Sequence, residues 1–157
     1  MNRCLICGTE IQPFISFGRM PIANGFLEPS QFKNEHFIEL DVAHCPVCQM
    51  VQLVNLVDRE KMFHENYAFF SSTSVKMGEH FKRHAENIIE NKIAGKNDPF
   101  VVEIGSNDGI FLQHFAKRGI RHLGIEPSKN VAAVARQKGV ESISKFFDEG
   151  VAKEIES

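Results

Sequence analysis

The sequence has no tryptophan, a single tyrosine and no long apolar run. Its longest hydrophobic stretches, such as Phe100 to Val102, fall far short of the roughly 20 residues that a helix needs to cross a bilayer. Met1 to Glu10 lacks the apolar core of a signal peptide. Charge of one sign is missing too: 18 Lys plus Arg stand against 20 Asp plus Glu, a net charge of -2, so no strong field is available to hold a polyanion non-specifically. Internal repeats and low-complexity tracts are absent. These absences argue against a membrane span, a secreted chain and a nucleic-acid binder, and the expectation is a soluble, cytoplasmic protein.

What is present suits a packed core. The chain has 157 residues, 43% of them hydrophobic and 14 of them Phe, enough for one or two globular domains. Pro13, Pro21, Pro29 and Pro46 punctuate residues 1–60 into short extended pieces and turns, the pattern of a small metal-stapled module. Alternation of Phe37, Glu39 and Asp41 with Ile38, Leu40 and Val42, and the run Val51 to Val57, predict two short strands flanking the second cysteine pair.

From Val75 the periodicity changes. Phe81, Ala85, Ile88, Ile89 and Lys92 or Ile93 recur at helical spacing and predict an amphipathic helix over about 75–93, ended by Gly95 and Asn97. A strand at Phe100 to Ile104, a helix over about 109–118, a strand at His122 to Ile125 and a helix over about 128–138 follow, with a short third strand at Glu141 to Ser144. Strands separated by single helices imply a parallel sheet with right-handed crossovers. The expected fold is α/β: a zinc-stapled small domain at 1–60, a linking segment with an amphipathic helix at 61–98, and at 99–157 the incomplete start of a doubly wound, Rossmann-like sheet. Such a sheet has an edge that is exposed or paired with something else. It reads as a fragment or as half of a complex.

Cysteine spacing carries the strongest chemical signal. Cys4-Leu-Ile-Cys7-Gly8 and Cys45-Pro-Val-Cys48 are two C-x2-C knuckles, each able to aim two thiolates at one ion and together able to complete a tetrahedral S4 site. With four protein ligands and no open position the metal would be structural zinc. The competing readings are a redox pair or free core cysteines, but redox motifs bring one C-x-x-C and two are present. His44, beside Cys45, reads as a strand-end surface histidine rather than a ligand.

The second signal is the turn after the strand at Phe100 to Ile104. Glu103-Ile-Gly105-Ser106-Asn107-Asp108-Gly109 places backbone N–H groups at the carboxyl end of a strand, where ligands bind in such sheets. Glu126, about 20 residues on, is positioned to accept the ribose hydroxyls of an adenosine. A dinucleotide loop would read G-x-G-x-x-G; the spacing here is G-x-x-x-G with an acidic residue two before it, which favours S-adenosylmethionine, a cofactor with no pyrophosphate to cradle. The bland alternatives are a plain strand-to-helix turn and, for Glu103, a solvated or capping carboxylate.

Several stretches together resemble the nucleotide-sugar C-methyltransferases of deoxysugar biosynthesis, which have an N-terminal zinc-binding domain. They are Cys4-x2-Cys7, Gly18-Arg-Met-Pro-Ile-Ala-Asn-Gly-Phe-Leu27, Cys45-x2-Cys48 followed by Val51-Gln-Leu53, Tyr67-Ala-Phe-Phe-Ser-Ser72, Val102-Glu-Ile-Gly-Ser-Asn-Asp-Gly109 and Gly124-Ile-Glu-Pro127. The resemblance implies zinc on the four cysteines, S-adenosylmethionine held by Glu103 to Gly109 and Glu126, and Tyr67 to Ser72 packed over donor and substrate. It also implies methylation at a sugar carbon: a base removes the proton alpha to the keto group of a nucleotide-linked 4-keto-deoxyhexose, and the enolate attacks the sulfonium methyl in line. In the family the base and most sugar contacts lie beyond the position of residue 157, so a missing C-terminal half is expected to complete the enzyme.

Tyr67 is the one candidate catalytic group, set against an aromatic packed with Phe69 and Phe70. His80 and His84 share a helix face and read as solvated. Asn24 reads as a turn amide. The rival functions are a non-catalytic zinc-binding interaction module and a methyltransferase with another small-molecule acceptor.

Overall fold

The computed structural model describes residues 2–23 and 26–156, so Asn24 lies outside the described residues. The chain separates into two compact units, Met1–Met62 and Phe63–Ser157.

The first unit is built from small antiparallel sheets. Strands β1 (Asn2–Arg3) and β2 (Glu10–Ile11) pair across the first knuckle. Strands β3 (Pro13–Pro21), β4 (Phe37–His44) and β5 (Val51–Leu53) form a three-stranded sheet in that order. Two expectations are corrected here. Pro13 and Pro21 do not break their segment; they bound one nine-residue strand, where a proline at a strand end on a sheet edge loses no ladder bond. The strand after the second cysteine pair stops at Leu53 rather than running to Val57, with Val54 N–H making one more bond in the same register, to the Asp41 carbonyl at 2.9 Å. A short helix α1 (Arg59–Met62) ends the unit. Among the described residues the buried cluster is Cys4, Ile11, Ala43 and Cys45, with Val54 against it. So small an apolar core is what a unit stapled by a metal has.

The second unit is a parallel α/β layer. Helix α2 (Val75–Ile88) continues as a π-helical turn over Ile89–Ile93, matching the expected span, and Ser74 caps it by accepting a hydrogen bond from Met77 N–H. Strands β6 (Phe100–Ile104), β7 (Arg121–Ile125) and β8 (Ser142–Ile143) lie in the order β6-β7-β8 and are parallel, with Ile104 opposite Ile125 and Ile125 opposite Ile143. Between them run helices α3 (Gln113–Ala116) and α4 (Lys129–Gln137). The helix expected over 109–118 is thus reduced to four residues. Residues 105–112 are spent on turns, in which Gly109 N–H bonds to the Ser106 carbonyl and His114 N–H to the Phe111 carbonyl.

The core sits on one face of this sheet. Phe111, Leu112 and Phe115 pack with Ala85, Ala135 and Val140, and Phe81, Ile88, Ile89, Ile93 and Val101 close around them. Val101 therefore faces the helices, while Phe100, Val102 and Ile104, on the opposite face by strand alternation, stay 38%, 39% and 60% exposed. A final helix, α5 (Glu149–Glu156), starts where Asp148 Oδ1 accepts from Val151 N–H; nothing in the apolar spacing announces it.

Candidate functional site

In the first unit two knuckles repeat one hydrogen-bond plan. Cys4 N–H donates to the Thr9 carbonyl and Gly8 N–H to the Cys4 carbonyl, at 2.8 and 2.9 Å; Cys45 N–H donates to the Met50 carbonyl and Gln49 N–H to the Cys45 carbonyl, at 2.8 and 3.0 Å. Gly8 and Gln49 both take left-handed backbone, at φ 73° and 64°. Glycine does this without penalty, and Gln49 is steadied by its own side chain, which donates to the Pro46 carbonyl and meets His44 Nε2 at 3.0 Å.

These turns bring Cys4, Cys7, Cys45 and Cys48 together, with all four Sγ atoms within 4.8 Å of one another. The Cys4–Cys48 and Cys7–Cys45 sulfur pairs are each 3.5 Å apart, too far for disulfides. A tetrahedral zinc with bonds of about 2.3 Å places sulfurs about 3.8 Å apart, so the quartet fits such an ion. His44 is not part of the cluster.

Charge points the same way. The N–H groups of Cys7 and Ile6, with the Gln52 amide and the Cys48 sulfur, outweigh burial and bring the Cys4 thiol down to about 6. Thr9 lowers Cys7. Cys48 is pushed up to about 12: the Met50 N–H pulls it down, but burial and the sulfurs of Cys4, Cys45 and Cys7 outweigh that. Four thiolates this close repel one another, and a divalent cation removes the conflict.

Sequence reasoning missed Gln52. It is buried, donates from Nε2 to Cys4 Sγ at 3.2 Å and accepts from Leu5 N–H at 2.9 Å, so it ties β5 to the first knuckle. Its place beside the apolar residues of a short strand could have marked it, since a glutamine at an inward strand position needs partners.

In the second unit the loop Gly105–Gly109 lies at the carboxyl ends of β6 and β7. Gly105 and Ser106 N–H both donate to the Ile125 carbonyl, at 2.8 and 3.2 Å. Gly105, Asn107 and Gly109 have φ of 72°, 49° and 75°. At Gly109 a Cβ would sit 2.9 Å from Val140 Cγ2 and 3.2 Å from Ala135 Cβ, so loop and helix α4 close together only over glycine. At Gly105 a Cβ would meet nothing within 4 Å, which leaves open space beside the backbone.

Glu126 is 5% exposed. Its Oε2 accepts from Asn107 N–H at 3.1 Å and its Oε1 from Ser128 N–H at 2.8 Å. Glu103 is raised by burial to about 8, and its Oε2 has no protein partner. Buried oxygens of Ser106, Asp108 and Ser128 also lack partners. A loop with open space and several orphaned buried acceptors is what a polar, partly cationic ligand would satisfy. Asn107 and Asp108 lie in the same loop, but their side chains are turned to the segment 69–72. Tyr67, the candidate catalytic group, packs its ring against Phe63 at 5.6 Å. His84 stacks on Phe111, and His80 on His84.

Residues 4–63 match the family model described as "Putative zinc binding domain". Over 157 residues, 99% of the chain, the sequence is 30% identical to the C-methyltransferase NovU of Streptomyces niveus, and it spans 37% of that protein's length. Among solved structures, magnesium protoporphyrin IX methyltransferase from Synechocystis PCC 6803 with bound SAM overlays at a TM-score of 0.37 with 15% identity, covering 56% of this chain and 47% of that one. The resemblance to C-methyltransferases with a zinc-binding domain, read from the motifs, is borne out by the first two matches. Among the described residues no helix is long and apolar enough to cross a membrane.

Proposed function

We propose that this chain holds structural zinc on Cys4, Cys7, Cys45 and Cys48, binds S-adenosylmethionine at Glu103 to Gly109 and Glu126, and serves a C-methyltransferase whose acceptor is a nucleotide-linked keto-deoxysugar. The observation that carries the donor reading is the buried Glu126 carboxylate at the end of β7, hydrogen-bonded to the loop that follows β6. The acceptor class rests on the motif resemblance to nucleotide-sugar C-methyltransferases, and the likeness to a C-methyltransferase across 99% of the chain supports transfer to carbon.

The donor, when bound, supplies an electrophilic methyl group on a sulfonium. The protein's part is to hold and orient. Glu126 spends one acceptor site of each oxygen on Asn107 and Ser128, which locks its rotamer and leaves its remaining lone pairs for ribose hydroxyls. Glu103 keeps a proton at neutral pH because burial disfavours its charge; a cation placed beside it would favour the ionised form. Gly105 leaves room for close approach to the backbone. A metal held by the four thiolates would keep no position for water and would serve as a staple.

The test is calorimetric titration of S-adenosylmethionine, and of its demethylated product, into zinc-loaded protein, with elemental analysis of the same sample. One zinc per chain and saturable heat are expected. No heat and no rise in melting temperature would overturn the donor reading, and absence of stoichiometric metal would overturn the zinc reading. The acceptor is tested by methyl transfer to a nucleotide-linked 4-keto-deoxyhexose by protein containing the continuation of the chain; transfer only to other acceptors overturns that part.

A further inference from the structure

We infer that Asp108 and Lys138 are positioning residues: they strap the segment Phe69–Ser72 onto the loop Gly105–Gly109, and a donor at that loop is gripped through the strap. The inference rests on the donor site proposed above. It concerns residues that loop position alone assigns to direct donor contact.

Three backbone groups of the strap, and the Tyr67 carbonyl just before it, are committed to polar side chains far away in sequence. Ser71 N–H donates to Asn107 Oδ1 at 2.8 Å, and Asn107 Nδ2 donates to the Phe69 carbonyl at 3.1 Å. Ser72 N–H donates to Asp108 Oδ2 at 3.1 Å. Asn130 Nδ2, from α4, donates to the Tyr67 carbonyl at 2.8 Å. Lys138, just past the end of α4, completes the fastening. Its Nζ donates to Ser72 Oγ at 2.6 Å and to the Asp108 carbonyl at 2.8 Å, and forms an ion pair with Asp108 Oδ2 at 3.1 Å.

Apolar burial does not hold the strap in place. No residue from Tyr67 to Ser72 is buried, and Phe69 is 64% exposed. The segment therefore belongs to the part of the molecule that opens at low cost, and its position is set by the polar links. Asp108 is 2% exposed, and a carboxylate that deep needs a counter-charge. Lys138 provides it while bonding both sides of the junction. Neutralising Lys138 leaves Asp108 buried without its cation and removes the link to Ser72 in one step.

Asn107 spends its side chain on the strap and Asp108 spends Oδ2 there, with Oδ1 left without a protein partner; both act on the donor by setting where Phe69 to Ser72 lies, while Glu103, Glu126 and the loop backbone stay available for contact. Donor affinity then depends on Lys138 through the strap's order.

Amide exchange measured by NMR on the ligand-free 157-residue chain tests the strap by itself. Lys138→Met is expected to speed exchange of the Ser71 and Ser72 amides by about tenfold, with the amides of β6 and β7 unchanged; Lys138→Arg restores protection, and Asp108→Asn gives an intermediate result. In calorimetry Lys138→Met is expected to weaken S-adenosylmethionine about three- to tenfold and Lys138→Arg much less. Fast exchange at Ser71 and Ser72 in the unmodified chain, or no change in Lys138→Met, overturns the strap. Loosened amides with unaltered donor affinity overturn the positioning role. If the unmodified chain gives no donor heat, the donor reading falls and takes the coupling with it, while protection lost in Lys138→Met still supports the strap as a structural element.

Discussion

Glu126 Oε2 accepts the Asn107 N–H at 3.1 Å, joining the end of one parallel strand to the loop that follows its neighbour. The carboxylate is held from its own side as well, by Ser128 N–H. A group read from sequence as a ligand for a nucleoside is thus also a structural brace of the crevice.

Replacing it should cost both roles. Glu126→Ala leaves the buried Ser128 N–H and the partly buried Asn107 N–H without an acceptor, a loss of about 1–3 kcal/mol for each one water cannot reach. A lower melting temperature and loss of measurable donor heat are expected. Unaltered donor affinity in a folded variant would show that the ribose is held elsewhere.

Cys45 is fully buried in the small cluster of the first unit. Cys45→Ser, or chelation of the metal, should release zinc and unfold that unit, since S4 sites contribute on the order of 10–16 kcal/mol to small zinc modules. NMR would report collapse of the β3-β4-β5 resonances with those of β6 and β7 retained. Survival of the first set in metal-free protein would contradict a staple.

Gln52 bears on the same site without touching the ion. Gln52→Leu removes the donor to Cys4 Sγ and the acceptor of Leu5 N–H, and zinc affinity measured by chelator competition should fall about 10- to 100-fold. Gln52→Glu should fall further, because it sets a carboxylate against a thiolate. Equal affinities in all three proteins would reduce Gln52 to packing.

Glu103 predicts a pH dependence of stability with a definite sign. Its carboxyl is raised from 4.5 to about 8 in the folded chain by burial. Below 4.5 both states hold the proton and the contribution is fully present; between 4.5 and 8 only the unfolded chain releases it, so stability falls as pH rises through that window. Glu103→Gln should flatten this dependence and, at pH 8, melt about 2–6 °C above the unmodified chain. A parallel pH profile in both proteins would place the raised carboxyl elsewhere.

Local patterns made much of this legible. The 3.6-residue spacing of Phe81, Ala85 and Ile88 located α2, and the run Phe100 to Ile104 located β6, because each element's own apolar face reports its period. Where the chain follows a turn preference instead, the pattern misled: the stretch after Gly109 reads as helix but is mostly turns, and Pro13 to Pro21 reads as broken but is one strand. The sequence left Tyr67 open between a catalytic phenol and a packed aromatic; its ring meets Phe63, four residues earlier.

The C-x2-C spacings and the interval from Gly105 to Glu126 were set by the sequence alone, because a knuckle and a strand-loop-helix step are short-range geometries that a few adjacent residues dictate. Tertiary structure decided the rest: that the four sulfurs meet within 4.8 Å, that Gln52 donates to one of them, and that Lys138 and Asp108 close over Ser72. Those pairs join residues 36 to 66 positions apart. A single polar contact across such a span has no period and no spacing rule, so it exists only once the strands and helices have brought its ends together.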